Sequence, residues 1–396
     1  MGQFQLTIRR SDRPAEAEIE ASFGAEKAFS IPDRIDGIEE AVARLQTDLL
    51  RDAATARSGG DLSDPAGNGE PPPVAQPALV GTVQKMGASL FCYLFDGQIE
   101  KLYRRAVEEC DVKQESLEVT LVFAEDDNAN PLPGAPWLNL TPWEILWDLK
   151  DREFLATAGS TLFSRVVGAG VVKQPRERPL RVLIMAAAPK VYEGKKLEGL
   201  KGFVEVEKIT TALGRDCVVT VVPGESFDDL QLALFDNSKD RHFDVFHFIG
   251  HGDSDTERKE GYLLFREPDG ANGIPIYSGQ LRELLSDPWA PLLVVLNSCR
   301  SAQGYGADIF SSTAATLSLG RIPAVIAMQF PISDRAAIAF SRSLYLWLGQ
   351  GAAVQDAVRR ARRNLSTLGP EWITPVLYLR QPDYRLVPRQ AKDGAQ

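Results

Sequence analysis

The sequence predicts an α/β protein: a mostly parallel, six-stranded C-terminal sheet flanked by helices, preceded by a smaller α+β N-terminal region. Three observations predict it. From Leu180 onward short apolar runs alternate with stretches of helical spacing. Those runs are apolar on both faces, the pattern of parallel strands covered by helices on both sides. Upstream of residue 180 the pattern is irregular and is divided by a Gly- and Pro-rich stretch.

Residues 3–9 and 15–30 alternate polar and apolar side chains and read as short strands. Helical spacing follows over 35–56, with Ile38, Val42, Leu45, Leu49 and Leu50 on one stripe. Half of the residues from 58 to 73 are Gly or Pro, a composition that cannot bury enough apolar surface to fold. A long helical pattern over 76–112, broken near Gly97, leads to a strand at Leu117–Ala124 and then a Pro-rich stretch. The resulting division is an α+β segment over 1–57, a linker over 58–75, a helical and β region over 76–175, the α/β domain over 176–385 and a flexible tail over 386–396.

In the α/β domain the strands are read at Leu180–Ala187, Cys217–Val222, Asp244–Ile249, Leu292–Leu296, Ala324–Phe330 and Pro375–Leu379. Helical patterns at 196–213, 226–237, 278–286, 308–319, 333–349 and 352–366 fill the intervals. The polar stretch 253–275, with Gly261, Gly270 and Gly273, reads as a mobile flap or an internal cleavage site.

Composition narrows the function classes. The chain has 396 residues, enough for two or three domains, and a net charge of −10 that argues against a general nucleic-acid binder. Its four cysteines are scattered without zinc-type spacing, which suits a reducing compartment. The polar N-terminus has no signal-peptide core, and no apolar run approaches the roughly 18 residues of a membrane helix. These features read as a cytoplasmic protein without a membrane partner.

In open parallel sheets the working residues sit just beyond the C-terminal strand ends. The third strand ends in Gly250-His251-Gly252 and the fourth in Asn297-Ser298-Cys299-Arg300. If the two strands are neighbours, an imidazole and a thiol meet in one crevice. A thiol of ordinary pKa, about 8.5, is mostly protonated at pH 7, so a nearby imidazole must take its proton. The same ring can protonate a leaving amine. The amides of Gly252 and Cys299 are placed to form an oxyanion hole, and Gly250 permits a sharp turn before His251. Taken alone, a Cys at the end of an apolar strand is most often core, and a His-Gly most often marks a turn. Their joint placement at two strand ends favours chemistry.

His242, His247 and His251 lie within ten residues but do not read as a metal site. His247-Phe-Ile-Gly-His251 lacks the Glu of H-E-x-x-H, and four residues of strand separate the two rings by about 13 Å. His247 reads instead as a satisfied core histidine. There is no phosphate-binding Gly-rich loop and no G-x-S-x-G elbow. Arg359, Arg360, Arg362 and Arg363 read as a solvated helical face.

Several segments, in order and spacing, resemble the CHAT domain, a bacterial branch of the caspase–separase group of cysteine peptidases. They are Leu-Thr-Pro-Trp-Glu-Ile-Leu-Trp-Asp (140–148), Leu-Arg-Val-Leu-Ile-Met (180–185), Val-Phe-His-Phe-Ile-Gly-His-Gly (245–252) and Val-Val-Leu-Asn-Ser-Cys-Arg-Ser-Ala (294–302). Ile-Pro-Ala-Val-Ile-Ala-Met-Gln-Phe-Pro-Ile-Ser-Asp (322–334), Ala-Val-Arg-Arg-Ala-Arg (357–362) and Trp-Ile-Thr-Pro-Val-Leu-Tyr (372–378) complete the likeness. It covers roughly residues 135–382. The histidine-to-cysteine order and spacing also resemble the caspase arrangement of about 50 residues.

The resemblance implies a caspase-like sheet, a Cys–His dyad with His251 as base and Cys299 as nucleophile, and no cofactor. It implies a cysteine endopeptidase acting on protein substrates, with an activating or regulatory partner protein, in bacterial defence or signalling. It also implies that 76–175 is a degenerate caspase-like half, with Trp143 and Trp147 at its packing seam, although simple core residues account for the two tryptophans equally well. In caspase-like folds the strand after the cysteine strand helps build the substrate pocket, which makes Gln329 and Asp334 candidates there. Asp334 or Ser333 is equally suited to cap the helix that follows. The tetratricopeptide repeats carried by many relatives are not present as a 34-residue period here. The rival reading is a catalytically silent caspase-like binding module. A flavodoxin-like or dinucleotide-binding protein is a third, disfavoured by the missing Gly-rich loop.

Overall fold

The structure is a computed structural model of the chain. It describes all residues except 11–16, 33–34, 36, 39, 46, 49–76, 124–140, 168–174, 176–178, 215–216, 236–241, 256, 259, 269, 287–289, 301–308, 319–321 and 389–396. The linker expected at 58–75 and most of the tail expected at 386–396 lie outside the described residues. The described chain forms two units: residues 1–168, 329–336 and 362–376, and residues 169–328, 337–361 and 377–396.

The first unit is built on a sheet ordered β5-β4-β1-β2-β3, with strands β1 (Gly2–Arg10), β2 (Ala17–Phe23), β3 (Glu26–Ser30), β4 (Leu117–Phe123) and β5 (Thr161–Val167). Strands β1 and β2 are antiparallel, whereas β1, β4 and β5 run parallel. Alternation along β1 places Phe4, Leu6 and Ile8 inward at 0% exposure. Helices α1 (Pro77–Leu94) and α2 (Gln98–Lys113) cover them, with Tyr103 edge-on to Phe4 at 5.5 Å. The break falls at Gly97, whose φ of 56° is the left-handed conformation that glycine adopts freely.

The sequence division differs from this arrangement. Residues 1–57 read as a segment of their own, yet β1 pairs with β4 over seven residues, from Gly2↔Leu117 to Ile8↔Phe123. A central strand needs hydrogen-bonding neighbours on both edges, and β1 finds one of them more than a hundred residues downstream. Trp143 is fully buried in a 3-10 turn, Trp143–Ile145. Gly87 of α1 backs onto that turn so closely that a Cβ there would sit 1.9 Å from the Ile145 carbonyl oxygen. Trp147 stacks edge-on to Phe154, which meets Trp372.

The second unit carries the expected α/β alternation. Strands β6 (Leu180–Ala187), β7 (Cys217–Val221), β8 (Val245–Asp255), β11 (Leu293–Arg300) and β12 (Ala324–Met328) form a parallel array in the order β7-β6-β8-β11-β12. The sixth expected strand, β13 (Pro375–Leu379), straddles the division between the units. Helices α3 (Gly202–Leu213), α4 (Phe227–Phe235), α5 (Ser278–Ser286), α6 (Ile309–Ser318), α7 (Asp334–Gly349) and α8 (Val354–Ser366) occupy the intervals. Alternation along β8 sends His247 to the face where Glu205 of α3 lies, and Phe248 to the opposite face, toward Phe265 and Phe227 of α4.

The stretch 253–275, read from sequence as a polar loop, is largely strand. Strand β8 runs on through Asp255, and β9 (Glu260–Arg266) and β10 (Gly273–Tyr277) form an antiparallel hairpin beside it. Leu263, Leu264 and Phe265 are buried, and this apolar run outweighs the polar residues around it. Among the described residues no helix is long and apolar enough to cross a membrane.

Candidate active site

Strands β8 and β11 are adjacent and parallel, in register from Val245↔Leu293 to Gly252↔Arg300. His251 and Cys299 are therefore direct cross-strand partners at the C-terminal ends of neighbouring strands. The side chain of Cys299 lies outside the described residues.

The other flank of β8 changes neighbour at this point. Val245–Gly250 pair with Val182–Ala187 of β6, whereas His251–Asp255 pair with Leu264–Glu260 of β9. Gly250 sits at the hand-over. A Cβ there would lie 2.4 Å from the Phe248 ring and 2.9 Å from the Ala187 carbonyl oxygen. Gly250 is thus required by close approach; the sharp turn anticipated from sequence is absent, because the strand continues through it.

His251 is 1% exposed, and its Nε2 lies 3.0 Å from the backbone carbonyl oxygen of Glu198. A carbonyl only accepts, so Nε2 carries the proton and Nδ1 is the basic nitrogen of the neutral ring. The carbonyl is held in place from one residue away. Leu197 packs with Tyr262 and Leu264, and its amide donates to the Lys190 carbonyl at 2.9 Å. Leu264 is itself the antiparallel partner of His251, so one apolar cluster fixes both the ring's strand and its acceptor. Sequence reasoning missed Glu198 because a backbone acceptor leaves no side-chain signature.

Beneath the strand ends lies a buried polar network. Tyr345 Oη is 2.9 Å from His247 Nδ1, and His247 Nε2 is 3.3 Å from Glu205 Oε1. The same oxygen accepts from Asn297 Nδ2 at 2.5 Å and Ser341 Oγ at 2.7 Å. All five side chains are at most 3% exposed. As a carboxylate Glu205 only accepts, which makes His247 Nε2 a donor and leaves Nδ1 to accept from Tyr345. Burial, and then the Glu205 charge, push the Tyr345 hydroxyl well above the usual tyrosine value, keeping it a donor. His247 is thus the satisfied core histidine its sequence context predicts. Glu205 went unread, although it shares the buried stripe of α3 with Ile209 and Leu213.

Gln329 and Asp334 belong to the first unit. Gln329 Nε2 donates to Glu144 Oε2 and to the Ile373 carbonyl, both at 2.7 Å, and its Oε1 accepts from Arg165 at 3.1 Å. The Gln329 amide is thereby engaged in a buried ionic cluster. Glu144 of that cluster pairs with both Arg165 and Arg362. Arg362 also donates to the Pro375 carbonyl at 2.8 Å and is 1% exposed, so the solvated arginine face read from sequence is corrected at this residue. Asp334 opens α7, where its charge favours the helix N-terminus. The cap itself is Ser333, whose Oγ accepts from the Ala336 amide at 3.2 Å and donates to Glu371 at 2.9 Å.

Fold and site together describe an α/β protein that presents a histidine and a cysteine side by side at parallel strand ends. A family model for the CHAT domain matches residues 99–371, and the chain belongs to this family. No match is found among curated proteins. Among solved structures the chain is similar to the Saccharomyces cerevisiae separase–securin complex at 13% identity and TM-score 0.43, covering 95% of this chain and 30% of that one. It thus spans about a third of the separase chain's length. It is also similar to the Arg-specific cysteine proteinase gingipain R of Porphyromonas gingivalis, at 10% identity and TM-score 0.41, covering 77% of this chain and 68% of that one. A third similarity is to the Drosophila initiator caspase Dronc, at 10% identity and TM-score 0.32, covering 54% and 93%.

Proposed function

We propose that the chain is a cysteine endopeptidase in which Cys299 is the nucleophile and His251 the general base. The observation that carries this reading is the register pairing of His251 with Cys299. Neighbouring strands lie about 4.8 Å apart, a separation that side-chain rotation closes to hydrogen-bonding distance. The Glu198 carbonyl holding Nε2–H directs the lone pair of Nδ1 outward from that anchor.

In the proposed reaction Nδ1 takes the Cys299 proton as sulfur bonds to the scissile carbonyl carbon. The carbonyl π electrons move to oxygen, where the Gly252 and Cys299 amides stabilise them, each donor contributing about 2.7–4 kcal/mol. Collapse breaks the C–N bond, and the imidazolium returns its proton to the leaving amine. Water, deprotonated by the same ring, then hydrolyses the thioester and frees the thiol. Every proton is carried by His251, and no cofactor is needed.

The proposal extends to regulation: an effector protease of bacterial defence or signalling, held latent until a partner protein engages it. The support is the burial of His251 and Gly252. The same burial favours a second reading, a catalytically silent binding module. Cells expressing wild type, Cys299→Ala or His251→Ala, each with neighbouring-gene products coexpressed, are compared by cataloguing new protein N-termini. New termini in wild type alone are expected. Cleavage that persists in either variant would sink the assignment, and identical catalogues throughout would favour the binding module.

A further inference from the structure

We propose that Glu205 is a positioning residue for the His251/Cys299 pair, tying together the backbone segments that carry it. This rests on the peptidase reading above. Three segments must hold a common geometry: β8 with His251, β11 with Cys299, and the chain leading into α3, whose Glu198 carbonyl holds the imidazole. Glu205 Oε1 reaches all three from one atom. It meets β8 through His247, four residues before His251, and β11 through Asn297, two residues before Cys299. It belongs to α3 itself, seven residues after Glu198.

Alternation along a strand puts residues two or four apart on the same face. The clamp at His247 and Asn297 is thus on the His251 face of the sheet, one layer below the strand ends. Ser341 and Tyr345 of α7 close the network from the far side, Ser341 directly on Glu205 and Tyr345 through His247. A surface carboxylate would be screened and mobile, but here every donor is buried. Hydrogen bonds to a buried charged acceptor are the strong and directional kind. Loss of the charge therefore loosens the tie of α3, and of the Glu198 carbonyl just before it, to β8 and β11, and the error reaches the reacting atoms two and four residues on.

The test uses the full chain and reads the thiol directly. Protein is alkylated with iodoacetamide from pH 5 to 9, and the peptide containing Cys299 is quantified by mass spectrometry. In wild type the rate follows an inflection below the free-thiol value, and His251→Ala removes it. Glu205→Gln is expected to move the inflection up, lowering the rate near pH 6.5 about ten- to a hundredfold while the alkaline plateau stays the same. Glu205→Asp falls between the two. A folded Glu205→Gln protein with the wild-type profile overturns the proposal. If Glu205→Gln does not fold, Ser341→Ala and Tyr345→Phe decide; an unmoved profile in both overturns it equally. A wild-type profile already insensitive to His251→Ala refutes the dyad itself, a result distinct from failure of the clamp.

Discussion

Glu144 is the most exacting test of how the first unit is held. Its carboxylate is 0% exposed and is shared by Arg165 and Arg362, each 1% exposed. Arg165 binds it through Nε at 3.2 Å and through Nη2, Arg362 through Nη2 at 3.4 Å, and Gln329 adds a donor at 2.7 Å. The Arg362 guanidinium is pulled down to about 10: burial lowers it most, Glu144 offsets part of that, and the Arg165 charge lowers it further. Glu144→Gln keeps the shape but removes the charge both guanidinium groups share. Breaking a buried pair in this way costs about 3–5 kcal/mol. For a unit of about 200 residues this is a drop of roughly 6–20 °C in melting temperature. The assay is urea and thermal unfolding followed by tryptophan fluorescence, with Trp143 the immediate neighbour in sequence. The control is Arg362→Met in the Glu144→Gln background, which removes one of the two stranded charges and is expected to return part of the loss. A Glu144→Gln protein within about 1 kcal/mol of wild type would refute the reasoning, since that is the range of an exposed ion pair.

Two further perturbations probe the site and the pH response. Gly250→Ala places a methyl group against the Phe248 ring and the fixed Ala187 carbonyl. A loss of about 1–3 kcal/mol in urea unfolding is expected, with slower alkylation of Cys299 at neutral pH; unchanged values in both would mean the hand-over is not tight. Asp148 is buried and receives two hydrogen bonds from Arg104, at 2.5 and 2.8 Å. Burial raises its carboxyl, but Arg104 and the Asp151 and Lys150 amides outweigh that and hold it below the usual range. A depressed folded pKa gives stability that is complete above the unfolded value, about 3.9, and is lost as pH falls through the folded one. The stability difference between wild type and Asp148→Asn should therefore shrink from pH 5 to pH 3, and a constant difference would contradict the assignment.

The second unit was largely legible because β6, β8, β11 and β12 are apolar and mostly buried on both faces and its helices are amphipathic. Strand β7, read as a buried strand, is instead an edge strand with Val218 and Val221 exposed. Helix α5 begins and ends where the spacing placed it, at Ser278 and Ser286. His251 and Cys299 were legible as neighbours because each follows an apolar run, and the two positions are paired in register. The residues that escaped were of two kinds. Glu198 acts through its main chain, and nothing in its side chain announces that. Glu205 and Arg362 are charged residues on buried helical stripes; the first went unread and the charge of the second was taken for exposure. The Val354, Val358 and Leu365 positions flanking Arg362 are at 0% exposure and mark the stripe. The β9–β10 hairpin was hidden by polar flanks, and the β1–β4 pairing by the length of chain between its halves.

The first unit is not finished when its first 168 residues exist, since it also requires residues 329–336 and 362–376. Glu144 and Arg165 must wait for Gln329 and Arg362, which are made long after them. At a synthesis rate of about 5–20 residues per second, the roughly 200 intervening residues occupy some 10–40 s. During that interval the partial sheet is on the ribosome with two buried-to-be charges lacking those two partners. The N-terminal portion of this chain is therefore made early and completed from the C-terminal side, and no fragment ending before residue 376 contains it whole.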